Sequence, residues 1–288
     1  MRDLPFVHVD VFSAVPYGGN SLAVFPDSSG LNGGQMLAIT QELRHFETIF
    51  LEPARADGVV PARVFDLIEE LPFAGHPILG AAGVLHRAAG IAGAATHRFA
   101  LGERIVAVRA QTSDDHVTAT LNAGAPSFGP EVAKTNALAA ALSLGPGDLD
   151  PDLPITVVST GLRYLVVPVR PGMLERARIA TDLTSLLTPH GADYAVLLDD
   201  AGREIRHWVN DGTLEDAATG SAASCVAAYR LRHRQAAPGE TVALSQGRHM
   251  GRPSLLNVAA IGTPDDVVRV EVGGGVAFVG RGVLEALP

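Results

Sequence analysis

The sequence predicts an α+β fold made of two similar halves, each wrapping short strands around one central helix. Three observations lead there. Short β-type runs recur from end to end while helical patterns are few, the balance of an α+β protein rather than a regular βαβ array. Two helix starts look alike and are spaced by almost half the chain. The helices they open are apolar on all sides over their first three turns, as buried helices are.

The β-type runs are 7–12, 22–25, 48–51, 105–110 and 117–121, then 155–159, 165–169, 194–198, 205–209, 241–244, 256–261, 267–272 and 276–279. Gly, Pro, Asn and Asp separate most of them, as turns require. Residues 117–121 alternate cleanly, which predicts a strand with one wet face. Helical patterns cover 34–43, 77–89, 136–144 and 221–232, with a short turn at 182–187.

The look-alike starts are Glu70-Leu71-Pro72-Phe73-Ala74-Gly75-His76 and Glu215-Asp216-Ala217-Ala218-Thr219-Gly220-Ser221. Glu215 follows Glu70 by 145 residues and Gly220 follows Gly75 by 145, against a half-length of 144. Coincidence is the bland alternative, but agreement with the half-length favours duplication. The halves are placed at 1–125 and 126–288. Pro77 suits a first helical position, which puts His76 at the cap. Ser221 or Thr219 caps the second helix.

A chain of 288 residues with 47% apolar and 18% charged residues can bury a sizeable core. Its formal charge of −9 gives no general attraction for nucleic acid or anionic lipid. The first residues, MRDLPFVHVDVF, do not read as a signal peptide, and no run is long and apolar enough for a membrane helix. Cys225 is the single cysteine, so intrachain disulfides and multi-thiolate metal sites are excluded. A cytoplasmic protein acting on small molecules is expected.

Glu47 sits in an otherwise apolar run, His45-Phe46-Glu47-Thr48-Ile49-Phe50-Leu51, and in a strand it shares a face with Ile49 and Leu51. Desolvation there would suit a general base. Equally, a carboxylate at the beginning of a strand can turn to solvent, and spacing alone leaves both readings open. Asp216, just ahead of a helix, would by itself be read as stabilising the helix dipole, and His76 as a plain cap. The N–H groups at Gly75–His76 and Gly220–Ser221 form ready anion sites, and facing each other across a cleft they could hold one carboxylate. Tyr17-Gly18-Gly19-Asn20 lacks the lysine or the glycine fingerprint of a phosphate loop and reads as a tight turn. The ten histidines make no metal-binding pair on a helix, so no metal is expected. There is no Gly-x-Ser-x-Gly elbow of a serine hydrolase, and Cys225, one turn into its helix, reads as core.

Taken in order, several segments resemble the PhzF-like family of phenazine biosynthesis. They are Asp10-Val11-Phe12, Tyr17-Gly18-Gly19-Asn20-Ser21-Leu22-Ala23-Val24, Phe46 through Leu51, Glu70 through Pro77, Leu214 through Ala222, Gln246 through Ser254, and Val279-Gly280-Arg281-Gly282. The resemblance spans essentially the whole chain. It implies a diaminopimelate-epimerase-like fold of two domains, each a curved sheet around a central helix, with the site between them and the last strand returning to the first domain. It also implies a homodimer and an isomerase that needs no cofactor, acting on a small cyclic carboxylic acid such as trans-2,3-dihydro-3-hydroxyanthranilate. Glu47 maps to the acid/base, His76 and Asp216 to its supporting residues, and Ser221 to a ligand-binding serine. The chain departs from the family at Phe46, where a small Ser is usual, at Asp66-Leu67 in place of Thr-Pro, and at Ala217 in place of Pro. A racemase or epimerase on the same fold is the runner-up, although one cysteine cannot supply two opposed thiols. A non-catalytic small-molecule-binding protein is the third reading.

Overall fold

A computed structural model of the chain describes residues 3–114 and 116–288. Two compact units emerge, one of Met1–Leu121 with Gly273–Pro288 and the other of Asn122–Val272. In the first unit the elements run β1 (Leu4–Val11), β2 (Asn20–Phe25), α1 (Gly33–Leu43), β3 (Glu47–Leu51), β4 (Val59–Asp66), β5 (Glu70–Leu71), α2 (Gly75–Ala88), β6 (Gly93–Leu101), β7 (Arg104–Ser113) and β8 (His116–Gly124). The second contains β9 (Ser127–Val132), α3 (Asn136–Ala141), β10 (Ile155–Ser159), β11 (Arg163–Pro168), α4 (Thr184–Leu187), β12 (Tyr194–Asp199), β13 (Glu204–His207), α5 (Gly220–Arg232), β14 (Thr241–Gln246) and β15 (Ser254–Gly262). The long β16 (Val267–Leu284) begins in the second unit and ends in the first.

The first unit is a closed barrel of eight strands in the order β1-β2-β3-β4-β6-β7-β8-β16, sealed by antiparallel pairing of β16 with β1. Helix α2 packs against β1, β2, β3, β6 and β7. It lies close to them because it carries glycine where they touch. A Cβ on Gly80 would lie 2.4 Å from a Leu22 methyl, and one on Gly83 would lie 2.8 Å from Val276. The other face of the strands is covered by α1, whose Met36 and Ile39 pack with Ala23, Phe25, Phe50 and Phe65. With both faces covered, β3 is buried at all five positions. Asn32 and Gln35 start α1 with a reciprocal capping box.

The second unit repeats this topology. β1–β2, β3–β4 and β6–β7 pair antiparallel while β2–β3 and β4–β6 pair parallel. β10–β11, β12–β13 and β14–β15 are likewise antiparallel, with β11–β12 and β13–β14 parallel. Helix α5 packs on β10, β11 and β15, as α2 does in its own unit. The repeat reaches side chains. Arg63 on β4 donates both arms of its guanidinium to Glu70 and lies over the ring of Phe65, and Arg206 on β13 does the same with Glu215 and Trp208. The matching positions of Glu70 and Glu215 thus mark one ion pair made twice.

Some local expectations are corrected. His76 does not cap α2: Ala74 is the N-cap and His76 the second helical residue. Thr219 caps α5 by its backbone conformation only, because its hydroxyl donates to Asp216 Oδ2 instead. Helix α3 stops at Ala141 rather than 144, since Ser143 takes the left-handed conformation (φ 58°). Strand β4 escapes pattern reading through its internal Pro61, and β6 through its alanines. The runs 267–272 and 276–279 are a single strand, carried through Gly273 and Gly275. A Cβ on Gly273 would lie 2.3 Å from the Ala119 carbonyl, and one on Gly275 2.5 Å from that of Ser13.

Candidate active site

In the first unit the chemistry gathers where β3 begins and α2 begins. Glu47 opens β3, opposite Leu22 of β2 in register, on the strand face that meets α2. Its residue exposure is 8%, which removes the reading of a carboxylate turned to solvent. Glu47 Oε2 lies 3.1 Å from His76 Nδ1, and His76 is equally buried. Burial pushes the His76 imidazole down to about 3, so it is neutral at ordinary pH. A neutral ring can donate from Nδ1 to a carboxylate, or accept there from a carboxylic acid. The contact therefore tolerates both protonation states of Glu47, which a shuttling acid/base requires. His76 Nε2 is buried with no hydrogen-bond partner among the described residues. The α2 N-terminus carries no side-chain cap, and a Cβ at Gly75 would meet open space. Backbone N–H groups there remain available to a ligand.

Asp66, cross-strand from Glu47, turns its carboxylate to the N–H groups of Ile68 and Glu69 (2.7 and 2.6 Å). Phe46, just before β3, is half-buried.

In the second unit Asp216 and Ser221 flank the beginning of α5. Asp216 is half-buried; its Oδ2 accepts from Thr219 Oγ1 at 2.6 Å and its Oδ1 from the Ala218 N–H at 3.3 Å. Gln246, to which residue spacing assigns no role, holds this turn. Its Oε1 accepts from the Thr219 N–H at 2.9 Å, while Nε2 donates to the Asp216 carbonyl at 2.8 Å and to Thr219 Oγ1 at 3.0 Å. Gly247 (φ 79°) follows, and a Cβ there would lie 2.5 Å from the Ala217 carbonyl, which also accepts from Ser254 Oγ. Two distant sequence segments, 214–222 and 246–254, are therefore one structural element. Ser221 Oγ is 2.8 Å from the hydroxyl of Tyr164, whose ring packs against Tyr194 and His207. Burial lowers the pKa of His207, against the pull of Asp216. Cys225 is buried, with its thiol pushed up to about 11 by desolvation, the character of a core residue.

Comparison with known proteins agrees with this architecture. A solved structure from Pseudomonas aeruginosa described as a predicted epimerase is 43% identical and superimposes with a TM-score of 0.90, covering 98% of this chain and 99% of its own. A hydroxyproline epimerase from Agrobacterium vitis, at 15% identity and a TM-score of 0.64 over 98% of this chain and 92% of its own, shares the fold alone. The protein thus has the fold shared by these racemase- and epimerase-type proteins. The trans-2,3-dihydro-3-hydroxyanthranilate isomerase of Pseudomonas chlororaphis is 33% identical over 97% of this chain and 98% of its own. The chain belongs to the phenazine biosynthesis-like protein family, whose model matches residues 9–282, and it is an isomerase.

Proposed function

We propose that the protein moves a proton between carbons of a small cyclic carboxylic acid resembling trans-2,3-dihydro-3-hydroxyanthranilate, with Glu47 as acid/base. The observation that carries this is the buried Glu47–His76 contact at an uncapped helix start. Glu47 as carboxylate takes a proton from a tetrahedral ring carbon. The C–H electron pair enters the conjugated system, and the carboxylic acid so formed returns the proton to another carbon of that system. No electron leaves the substrate, so the step requires no redox partner. His76 orients the Glu47 carboxyl, and Asp216 keeps the turn before α5 in shape. Gly75 at the α2 start, and separately Gly220 and Ser221 at the α5 start, offer N–H and hydroxyl donors suited to an anion. The relative's substrate and the 33% identity over nearly the whole of both chains support the choice of acid. The family resemblance further suggests a homodimer, which sedimentation would test.

The test is Glu47→Gln assayed with that substrate in heavy water, following deuterium uptake by proton NMR. Turnover should fall by at least ~10²-fold, the usual loss on removing a general acid–base group, with thermal stability near wild type. A variant with near-normal rate would take Glu47 out of the mechanism.

A further inference from the structure

Ser221 can bind an anion through its side chain only if its hydroxyl proton points outward, and the structure shows what decides that. Tyr164 on β11 is 2% exposed, and its phenol oxygen has one hydrogen-bond partner among the described residues, Ser221 Oγ at 2.8 Å. Among the described residues Ser221 Oγ in turn has Tyr164 alone, yet Ser221 is half-buried rather than buried. One proton lies between the two oxygens, and either could supply it. If Ser221 supplied it, the phenol proton of Tyr164 would be left buried without an acceptor, which costs about 1–3 kcal/mol. If Tyr164 supplies it, the buried phenol is satisfied and the Ser221 proton turns toward the accessible side. The phenol cannot swing to another acceptor, because its ring is held by Tyr194 (centroids 5.7 Å apart) and by the edge of His207 (5.3 Å). His207 is itself fixed through Nδ1, 2.9 Å from the Ala195 carbonyl.

We propose that Tyr164 is a positioning residue that locks the Ser221 hydroxyl as a donor to the substrate's carboxylate. The proposal rests on the reading of Ser221 as an anion-binding residue and adds the source of its polarity. A serine free to rotate can present a lone pair as readily as a proton. A serine that already accepts from Tyr164 presents the proton, and so selects a ligand group that only accepts. A carboxylate fits that description at both oxygens and carries charge, whereas a carboxamide offers one neutral accepting oxygen and gains less.

Calorimetric titration with 3-hydroxyanthranilate and with its carboxamide separates the possibilities, using wild type, Tyr164→Phe, Ser221→Ala and the double variant. Phenylalanine keeps the ring contacts and removes the hydroxyl. Tyr164→Phe should weaken carboxylate binding about fivefold to tenfold, as expected for degrading one charge-assisted hydrogen bond. It should weaken carboxamide binding less, by about twofold, because the amide oxygen accepts without charge. Ser221→Ala should weaken the carboxylate at least as much, and adding Tyr164→Phe to it should change nothing further, because the tyrosine acts through the serine. If Ser221→Ala binds like wild type, or wild type binds no carboxylate, the anchor and the inference fall together. If Ser221→Ala weakens binding but Tyr164→Phe does not, the anchor stands and the inference is wrong. The inference is equally wrong if Tyr164→Phe weakens both ligands alike, or adds to the loss in Ser221→Ala.

Discussion

The twice-made arginine–glutamate pair allows one motif to be weighed in two environments. Arg206 and Glu215 have side chains 2% and 12% exposed, whereas Arg63 and Glu70 are 35% and 42% exposed. Removing Arg206 as Arg206→Ala would strand a nearly buried carboxylate, a loss of about 3–5 kcal/mol. It would also free the carbonyls of Leu174 and Ala177, to which Arg206 Nη1 donates at 2.6 and 3.0 Å, and empty the space over Trp208. Arg63→Ala removes a solvent-screened pair worth about 0–1 kcal/mol, even though its two hydrogen bonds are as short. Urea unfolding of both variants at pH 7.5, read by far-ultraviolet circular dichroism, gives the comparison, because the single tryptophan, Trp208, lies only in the second unit and under Arg206 itself. Arg206→Ala should cost at least about 2 kcal/mol more than Arg63→Ala. Replacing both members, as Arg206→Met with Glu215→Leu, should recover much of the loss, since no unpaired charge is left behind. Equal losses for the two alanine variants would refute the reasoning, because burial, not geometry, is what distinguishes the pairs.

Mild acid should weaken the fold through its buried histidines. The His76, His97 and His207 pKa values are lowered by burial. In the window below 6.5 the unfolded chain binds protons that the folded chain refuses, so stability is present above that pH and declines as pH falls. With His76 down to about 3, that residue alone would cost about 2 kcal/mol at pH 5. Urea midpoints at pH 7.5, 6.5 and 5.0 test it, and a midpoint that holds or rises toward pH 5.0 would contradict it. Gln246→Leu should destabilise by about 1–3 kcal/mol, because the Thr219 N–H and Asp216 carbonyl lose their partner; thermal melting measures this, and an unchanged Tm would mean the turn before α5 holds without it. Asp216→Asn should slow turnover as well as lower Tm, since the amide can accept from Thr219 but carries no charge. An effect on Tm alone would reduce Asp216 to a turn-forming residue.

Much of the fold is legible in the sequence, and for local reasons. Apolar helices following matching Glu-to-Gly segments 145 residues apart announce two buried central helices, because all-round apolarity and chain duplication are written in residue order. The ordered motifs likewise carry the family, and the isomerase class with it. Other features depend on contacts between segments far apart in sequence. A strand-initial glutamate reads equally as buried or exposed, and only the packing of α2 on β3 excludes water from Glu47. Gln246 shows no motif of its own; its function appears when β14 runs beside the turn 27 residues before it and its amide meets two backbone groups and a hydroxyl. Tyr164 lies 57 residues from Ser221, and nothing in its neighbourhood along the chain marks it. The sequence by itself determined the helices, most strands, the repeat and the residue types able to do chemistry, since each follows from spacing within one segment. Which carboxylates lose their water and which hydroxyl must donate was decided by tertiary structure alone, because desolvation and hydrogen-bond polarity arise from neighbours that the chain brings together only on folding.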